Sequence, residues 1–361
     1  MSYLDEVPTS VRRRVQLTGG STYIVSIPKE WAKLLNIDKG DEVLLELTPT
    51  GAIKLSSTKA TKIQRSQRSV EIRISDGISY SAFLMEVLSS YLAGYDTIRI
   101  SFDPNLAPMA ERIASEVKSK AIGLELLEES DDHLTLRIVV DPMSISPQMA
   151  IENIIKVVKS MFDDLEDVLS SRKDKVILDA VVRRDDIVDK LYLYIFKQLN
   201  LALQNVVEPA ELGMQSLAEA INIYGIVKSL ERIADQAVQI AQWLSGFNGR
   251  VDEDLRLFFA EIKGEVEKVV ELALSRQQPL EQILRSYDSL HRAQTRLAEL
   301  QAKGRRECAG ECYPLIDGMR RILAQSIDLL ESLTGLHMVR SVETSLIPAQ
   351  GLNGFKVEPE G

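Results

Sequence analysis

Four carboxylates stand where a helical protein ordinarily keeps hydrocarbon. Leu178, Val182, Asp185, Asp189, Tyr192, Phe196 and Leu199 recur at spacings of three and four, so they share one helix face. Two aspartates therefore interrupt an apolar stripe. A second stripe, Leu217, Ala220, Tyr224, Val227, Glu231, Ala234 and Val238, carries Glu231, with Asp235 beside it. In both, acid–x–x–x–acid stacks two carboxylates one turn apart. Like charges in a partly buried seam are costly unless something compensates them. Three compensations are open. Arg183, Arg184 and Arg232 lie adjacent in sequence, the pKa values can rise, or a cation can bind, because helical bundles build metal sites from carboxylates on facing helices. Oxygen donors without cysteine or histidine suit hard cations such as iron, manganese or magnesium, with zinc also admissible.

Spacing alone does not single these residues out. Asp163 and Asp167 share it, as do Glu261 and Glu265. The stripe around the first pair runs through Ile151, Ile155, Val158, Phe162, Leu165 and Leu169, which leaves Asp163 and Asp167 on a face that should be solvated. Two later stripes, Leu284-Tyr287-His291-Gln294-Leu297 and Leu315-Met319-Ile322-Ser326-Leu330-Leu333, contain no carboxylate. Position on the stripe is the discriminator, and it predicts one site: Asp185, Asp189, Glu231 and Asp235.

The elements that must position these acids are helices. From residue 146 onward six amphipathic runs are expected, near 147–172, 174–205, 212–245, 251–275, 279–303 and 313–335. They are separated at Pro209, Gly246–Gly249, Pro279 and Gly304–Gly310. Short connections predict antiparallel neighbours, and the division near Gly249 predicts two three-helix repeats. The bundle is expected over 146–337, with a disordered tail at 338–361. Ahead of it, residues 70–145 read as a small βαβαββ module with no phosphate-cradling glycine loop and no clustered catalytic groups. Residues 59–69 form a basic linker containing Lys59, Lys62, Arg65 and Arg68.

Residues 1–58 read as short strands around a helix that starts after Pro28. So short a β segment cannot bury a stable core alone and needs a partner chain. Residues 1–68 hold eleven Lys/Arg against seven Asp/Glu, a basic head on a chain of net charge −10. Different partners are therefore expected at the two ends. No apolar run approaches the roughly 20 residues that span a bilayer, and no secretory leader is visible, so a cytoplasmic protein without membrane insertion is expected. Cys308 and Cys312 are too few for a disulfide framework and read first as two thiols on a helical turn, with an occasional disulfide as the lesser alternative. His133, His291 and His337 form no ligand pattern, and no nucleophile, base and oxyanion donor converge, so no enzyme is expected.

Two resemblances emerge from these residues. Leu230-Glu231-Arg232-Ile233-Ala234-Asp235-Gln236-Ala237 resembles the signature of the PhoU phosphate-uptake regulators, and Asp185 to Asp189 is similar to their second acidic motif. That resemblance covers about 147–337 and implies iron or zinc at Asp185, Asp189, Glu231 and Asp235, together with control of phosphate transport. Arg320 and Ala324 stand opposite Glu231 and Asp235 in the second repeat, where the family pattern breaks.

The stretch Gly20 to Trp31, with Leu34-Leu35-Asn36-Ile37 and Gly40-Asp41, resembles AbrB/SpoVT swapped-hairpin domains. This implies a homodimer, alone or within a higher oligomer, that binds DNA through Arg12, Arg13, Arg14, Thr18 and Ser21. The fold class expected is multidomain α+β: a swapped-hairpin head, the βαβαββ module and a six-helix bundle of two repeats. The function expected is a phosphate-responsive transcriptional regulator. The alternative is an adaptor that contacts the ATPase of a phosphate ABC transporter, or a signalling protein, and uses its head only to dimerise.

Overall fold

Glycine and proline place the turns of the N-terminal segment. Strands β1 (Gln16–Thr18) and β2 (Thr22–Ile24) pair antiparallel, Thr18 opposite Thr22. Between them Gly19 and Gly20 adopt φ of +60° and +81°, a left-handed turn that glycine enters without a Cβ clash. Pro28 precedes helix α1 (Lys29–Leu34), and β3 (Val43–Leu47) pairs antiparallel with β4 (Ile53–Ser57). In this computed structural model, residues 8, 10–47, 51–57, 67–170, 174–275, 279–303 and 311–346 are described. The expected linker residues Lys59, Lys62 and Arg65 lie outside them. The chain divides into two compact units, Met1–Arg68 and Ser69–Gly361.

The second unit opens with the predicted βαβαββ order: β5 (Ser69–Arg73), α2 (Tyr80–Leu92), β6 (Thr97–Ser101), α3 (Ala107–Lys120), β7 (Leu124–Glu129) and β8 (His133–Ile138). The sheet order is β5-β6-β8-β7, with β5 and β6 parallel and the other pairs antiparallel. Period-two alternation turns Ile72, Ile98, Ile100, Leu134 and Leu136 inward against Phe83, Val87, Ile113 and Val117 of α2 and α3.

Six helices follow: α4 (Pro147–Ser170), α5 (Lys175–Leu203), α6 (Glu219–Gly246), α7 (Glu253–Leu274), α8 (Leu280–Lys303) and α9 (Tyr313–Leu346). The expected apolar stripe of α4 is buried throughout, and Phe162 stacks on Phe259 of α7 at 5.9 Å. The module is joined to the bundle through α5. Asn200 Nδ2 donates to the Leu92 carbonyl at 2.9 Å, Gln198 Nε2 donates to the Pro142 and Ile145 carbonyls, and the buried Lys197 ammonium lies 4.3 Å from the Tyr91 ring centre.

Four expectations are corrected. The third helix starts at Glu219, because a 3₁₀ turn over Pro209–Leu212 ends at Gly213 with φ of +74°; Leu217 therefore precedes the helix. Helix α9 continues to Leu346, so 338–346 is helical rather than tail. The buried face of α8 carries Ile283, Leu290, Ala293 and Leu297, whereas Leu284 is 52% exposed and His291 lies at the surface. Leu297 belongs to both faces and Tyr287 packs on the core, but Ile283 and Leu290 are buried where Leu284 and His291 are expected. Cys312 is disulfide-bonded rather than a free thiol, and Cys308, the other cysteine, lies outside the described residues.

Helices α6 and α9 run antiparallel and approach closely at glycine. A Cβ on Gly225 would stand 2.3 Å from Ser332 Oγ, and one on Gly318 would stand 2.8 Å from the Ile240 side chain. A Cβ on Gly264 of α7 would meet nothing within 4 Å. Gly225→Val is therefore expected to destabilise by about 1–3 kcal/mol through overpacking. Gly264→Ala should stabilise by roughly 0.5–1 kcal/mol by restricting the unfolded chain and favouring helix. Urea melts of the two variants check the pair, and equal effects would refute the close approach.

Candidate functional site

Helices α5 and α6 pack face to face, and the predicted stripes are their contact surface. Leu178, Tyr192, Leu199, Ala220, Val227 and Ala234 are buried, and Glu231 is 9% exposed among them. Asp185, Asp189 and Asp235 are half-buried along the same seam. An aromatic group closes one end, with Phe196 and Tyr224 ring centres 5.0 Å apart and Tyr192 next to both.

The acids are close enough to perturb one another. Burial, then the charges of Asp189, Asp235, Glu231 and Asp186, push Asp185 up to about 7. Burial and the charges of Glu231 and Asp189 push Asp235 up to about 6. Asp189 is raised by burial first and by Glu231 second. Asp185 Oδ1 is buried without a hydrogen-bond partner. The seam thus contains desolvated, mutually repelling carboxylates, as the stripe positions predicted.

Of the arginines considered as compensators, Arg184 pairs with Asp164 of α4 and Arg183 is exposed, whereas the exposed Arg232 opposes the upward shift of Asp235 through its charge. A lysine makes the direct bonds to the seam. Lys228 Nζ donates to both oxygens of Glu231, 2.8 Å each, and lies 4.7 Å from the centre of the Tyr192 ring. Its charge also opposes the upward shifts of Asp189 and Asp235. Lys120, the last residue of α3, acts on Asp189 in the same sense. Neither lysine was singled out from the sequence. Lys228 carries a local signal, since it precedes Glu231 by three residues and so shares its helix face. Lys120 carries none, because only the packing of α3 on α5 brings it near.

The donor set fits a hard cation in its chemistry: oxygen ligands, partial desolvation and an orphaned buried oxygen. The side chains as placed do not converge, for among the described residues no group of three or more His, Cys, Asp or Glu is arranged to hold a metal ion. Glu231 has both oxygens on Lys228.

The remaining acid pairs separate as burial dictates. Asp163 is exposed and pairs with Lys263, and Asp167 is exposed. Glu261 is at the surface with Arg296, but Glu265 is buried, one oxygen on Lys268 at 2.7 Å and the other unpartnered. In the second repeat Arg320 is exposed and bonds Asp317 at 2.6 Å.

In the head, Arg12, Arg13, Arg14, Thr18 and Ser21 are all exposed, the last two in and beside the β1–β2 turn. Among the described residues of this unit no strand residue is buried. Leu17, Tyr23, Leu45, Leu47 and Ile53 are each more than half exposed.

Two family models match the chain. Residues 151–244 match the PhoU domain, and residues 16–64 match the family described as antidote-toxin recognition MazE, bacterial antitoxin. No individual curated protein matches it. The first match spans α4 to α6 and includes all four seam carboxylates; the second spans both hairpins of the head. The chain is thus of α+β class, with a segment similar to MazE antitoxins ahead of one similar to PhoU domains, and both matches are to regulatory families that support a phosphate-related regulator. Among the described residues no helix is long and apolar enough to cross a membrane.

The raised carboxylates set the pH response of the protein in chelator. A carboxyl that titrates higher in the folded chain than in the unfolded chain, about 3.9, holds its proton preferentially in the fold. Its contribution is complete below pH 4 and is lost as pH rises toward 7, the folded value of Asp185. Asp185→Asn in EDTA should therefore melt above wild type at pH 8 and lose that advantage by pH 4. Scanning fluorimetry across that range reads the difference; an advantage independent of pH would contradict the assignment.

Proposed function

We propose that the protein is a phosphate-responsive transcriptional regulator whose head binds DNA as a dimer and whose acidic seam binds a metal ion. The observation that carries the reading is the bare apolar surface of the head. Its strands leave Leu17, Tyr23, Leu45, Leu47 and Ile53 exposed, and among the described residues no strand side chain is buried. A unit of this size without a core gains stability by burying such surface against a second copy. The swapped-hairpin resemblance and the MazE match support another head as that second copy. Pairing two heads duplicates the exposed Arg12-Arg13-Arg14 run and the glycine turn, which gives two basic edges for one duplex. Arginine contacts phosphates and guanine edges alike.

The PhoU match supports the sensing half of the proposal. Asp185, Asp189 and Asp235 would hold the cation, with Glu231 joining them, and iron or zinc is the expected metal by family resemblance. Bound there, the ion would neutralise the repulsion between α5 and α6 and so bias how these helices pack.

Duplex DNA from the protein's own upstream region, or from a phosphate-transport promoter, is the probe for the head. Fluorescence anisotropy should give binding whose log K falls linearly with log salt concentration, since neutralised phosphates release counterions. Replacing Arg12, Arg13 and Arg14 with alanine should weaken binding and flatten that slope. Absence of duplex affinity at low salt would defeat the DNA reading and favour the adaptor for a transporter ATPase. A separate measurement addresses pairing: Leu45→Asp should shift the full chain toward monomer in light scattering, and an unchanged mass would remove this surface from the interface.

A further inference from the structure

Strand β5 stands at the end of the sheet order β5-β6-β8-β7, paired on one side with β6 and, among the described residues, with no strand on the other. The Ile74 N–H donates to the Ser101 carbonyl at 2.8 Å, so the even-numbered residues of this segment turn their backbone groups toward β6. Neighbouring residues of a strand point those groups to opposite sides, so Ser69, Glu71 and Arg73 present theirs along the open edge. Their side chains are exposed too, whereas Ile72 and Ile74 are buried. Arg73 meets Asp103 at 3.3 Å, but the two side chains are 72% and 61% exposed and their attraction is correspondingly weak. The opposite edge is built differently. Strand β7 has a register shift between Leu126 and Glu128 and carries the like charges Glu125, Glu128 and Glu129, features that keep other strands away. The β5 ladder runs from Ser69 to Arg73 without a shift, and its outward charges are of opposite sign.

We propose that the β5 edge is a self-association surface, at which β5 of one copy pairs antiparallel with β5 of a second copy about a two-fold axis at Ile72. Charge selects the register, because side chains directly opposite one another interact and like charges there repel. An axis at Glu71 sets two glutamates face to face, and an axis at Arg73 sets two arginines face to face. The axis at Ile72 sets Glu71 of each copy against Arg73 of the other, with Ser69 against Ser75 and Val70 against Ile74. Each Glu–Arg couple exchanges both of its backbone hydrogen bonds, since both residues point those groups outward. Ile72 then meets Ile72 of the second copy on the inward side, so the apolar faces of the two sheets run on without a break. The strand contact is small beside a free-standing interface of about 1,600 Å², and its occupancy rises with the local concentration of chains. It lies within the second unit and is separate from any pairing through the strands of the head.

Disulfide trapping in the full-length protein reads both the contact and its register. Opposite residues in a hydrogen-bonded antiparallel pair have Cα atoms about 5.5 Å apart, within disulfide reach, while diagonal neighbours are roughly 7–8 Å apart. Glu71→Cys and Arg73→Cys chains, co-expressed and oxidised with copper phenanthroline, should give a cross-linked dimer on a non-reducing gel. Either variant alone offers only diagonal cysteines and should cross-link several-fold less. Glu128→Cys on the β7 edge serves as the collision control, and wild type gives the background of Cys308 and Cys312. Adding Glu71→Arg to the Arg73→Cys chain sets two arginines opposite one another and should cut the yield several-fold. A single variant that cross-links as well as the co-expressed pair would overturn the register. A pair no better than Glu128→Cys would overturn the surface, and a yield untouched by Glu71→Arg would overturn the selection by charge.

Discussion

Placing carboxylates between two packed helices is costly, because water is removed from groups that repel one another and the apolar neighbours offer nothing in exchange. Much else in the second unit turns on how the α5–α6 contact meets that cost. Asp185, Asp189 and Asp235 meet it by titrating upward, and Glu231 meets it by bonding Lys228. The remainder of the contact is ordinary: Leu178, Val227, Ala234 and Leu199 pack without polar demands. A buried polar locus in such a setting is poised, since any added positive charge changes the balance between helices that are otherwise held by apolar burial.

Helix α5 carries this locus and the α/β module at once. Its Asn200, Gln198 and Lys197 side chains hold the backbone and Tyr91 of the preceding segments, about two to three turns beyond Asp189. Lys120, from the module, acts on Asp189. The module therefore has a structural relation to the seam that its own residues do not announce: it braces the helix that bears the acids and adds a cation at their edge.

The two halves of the protein solve their stability problems in different ways. The bundle is large enough to bury Phe162, Phe258, Phe259 and a continuous aliphatic core. The head has hairpins, but among its described residues no strand residue is buried, so little apolar burial within the described strands holds them together.

Periodicity in the sequence determined where the strands and helices lie, which faces of α4, α5, α6 and α9 are buried, and that Asp185, Asp189, Glu231 and Asp235 share a seam. Those features are local, because the 3.6-residue repeat encodes a helix face directly. The α8 stripe was misread because Leu284 and His291 make an apolar-looking face one position from the true one, and only the positions of α7 and α9 select between them. The start of α6 was misread because Gly213 stops the chain after a 3₁₀ turn that composition does not reveal. Tertiary structure alone decided that Arg184 serves Asp164, that Glu265 is buried while Glu261 is not, and that Lys120 reaches Asp189. The physical reason is that compensation of charge acts through space, between side chains whose separation is set by helix packing. The sequence located the acids of the seam by itself; which cations stand against them had to await the fold.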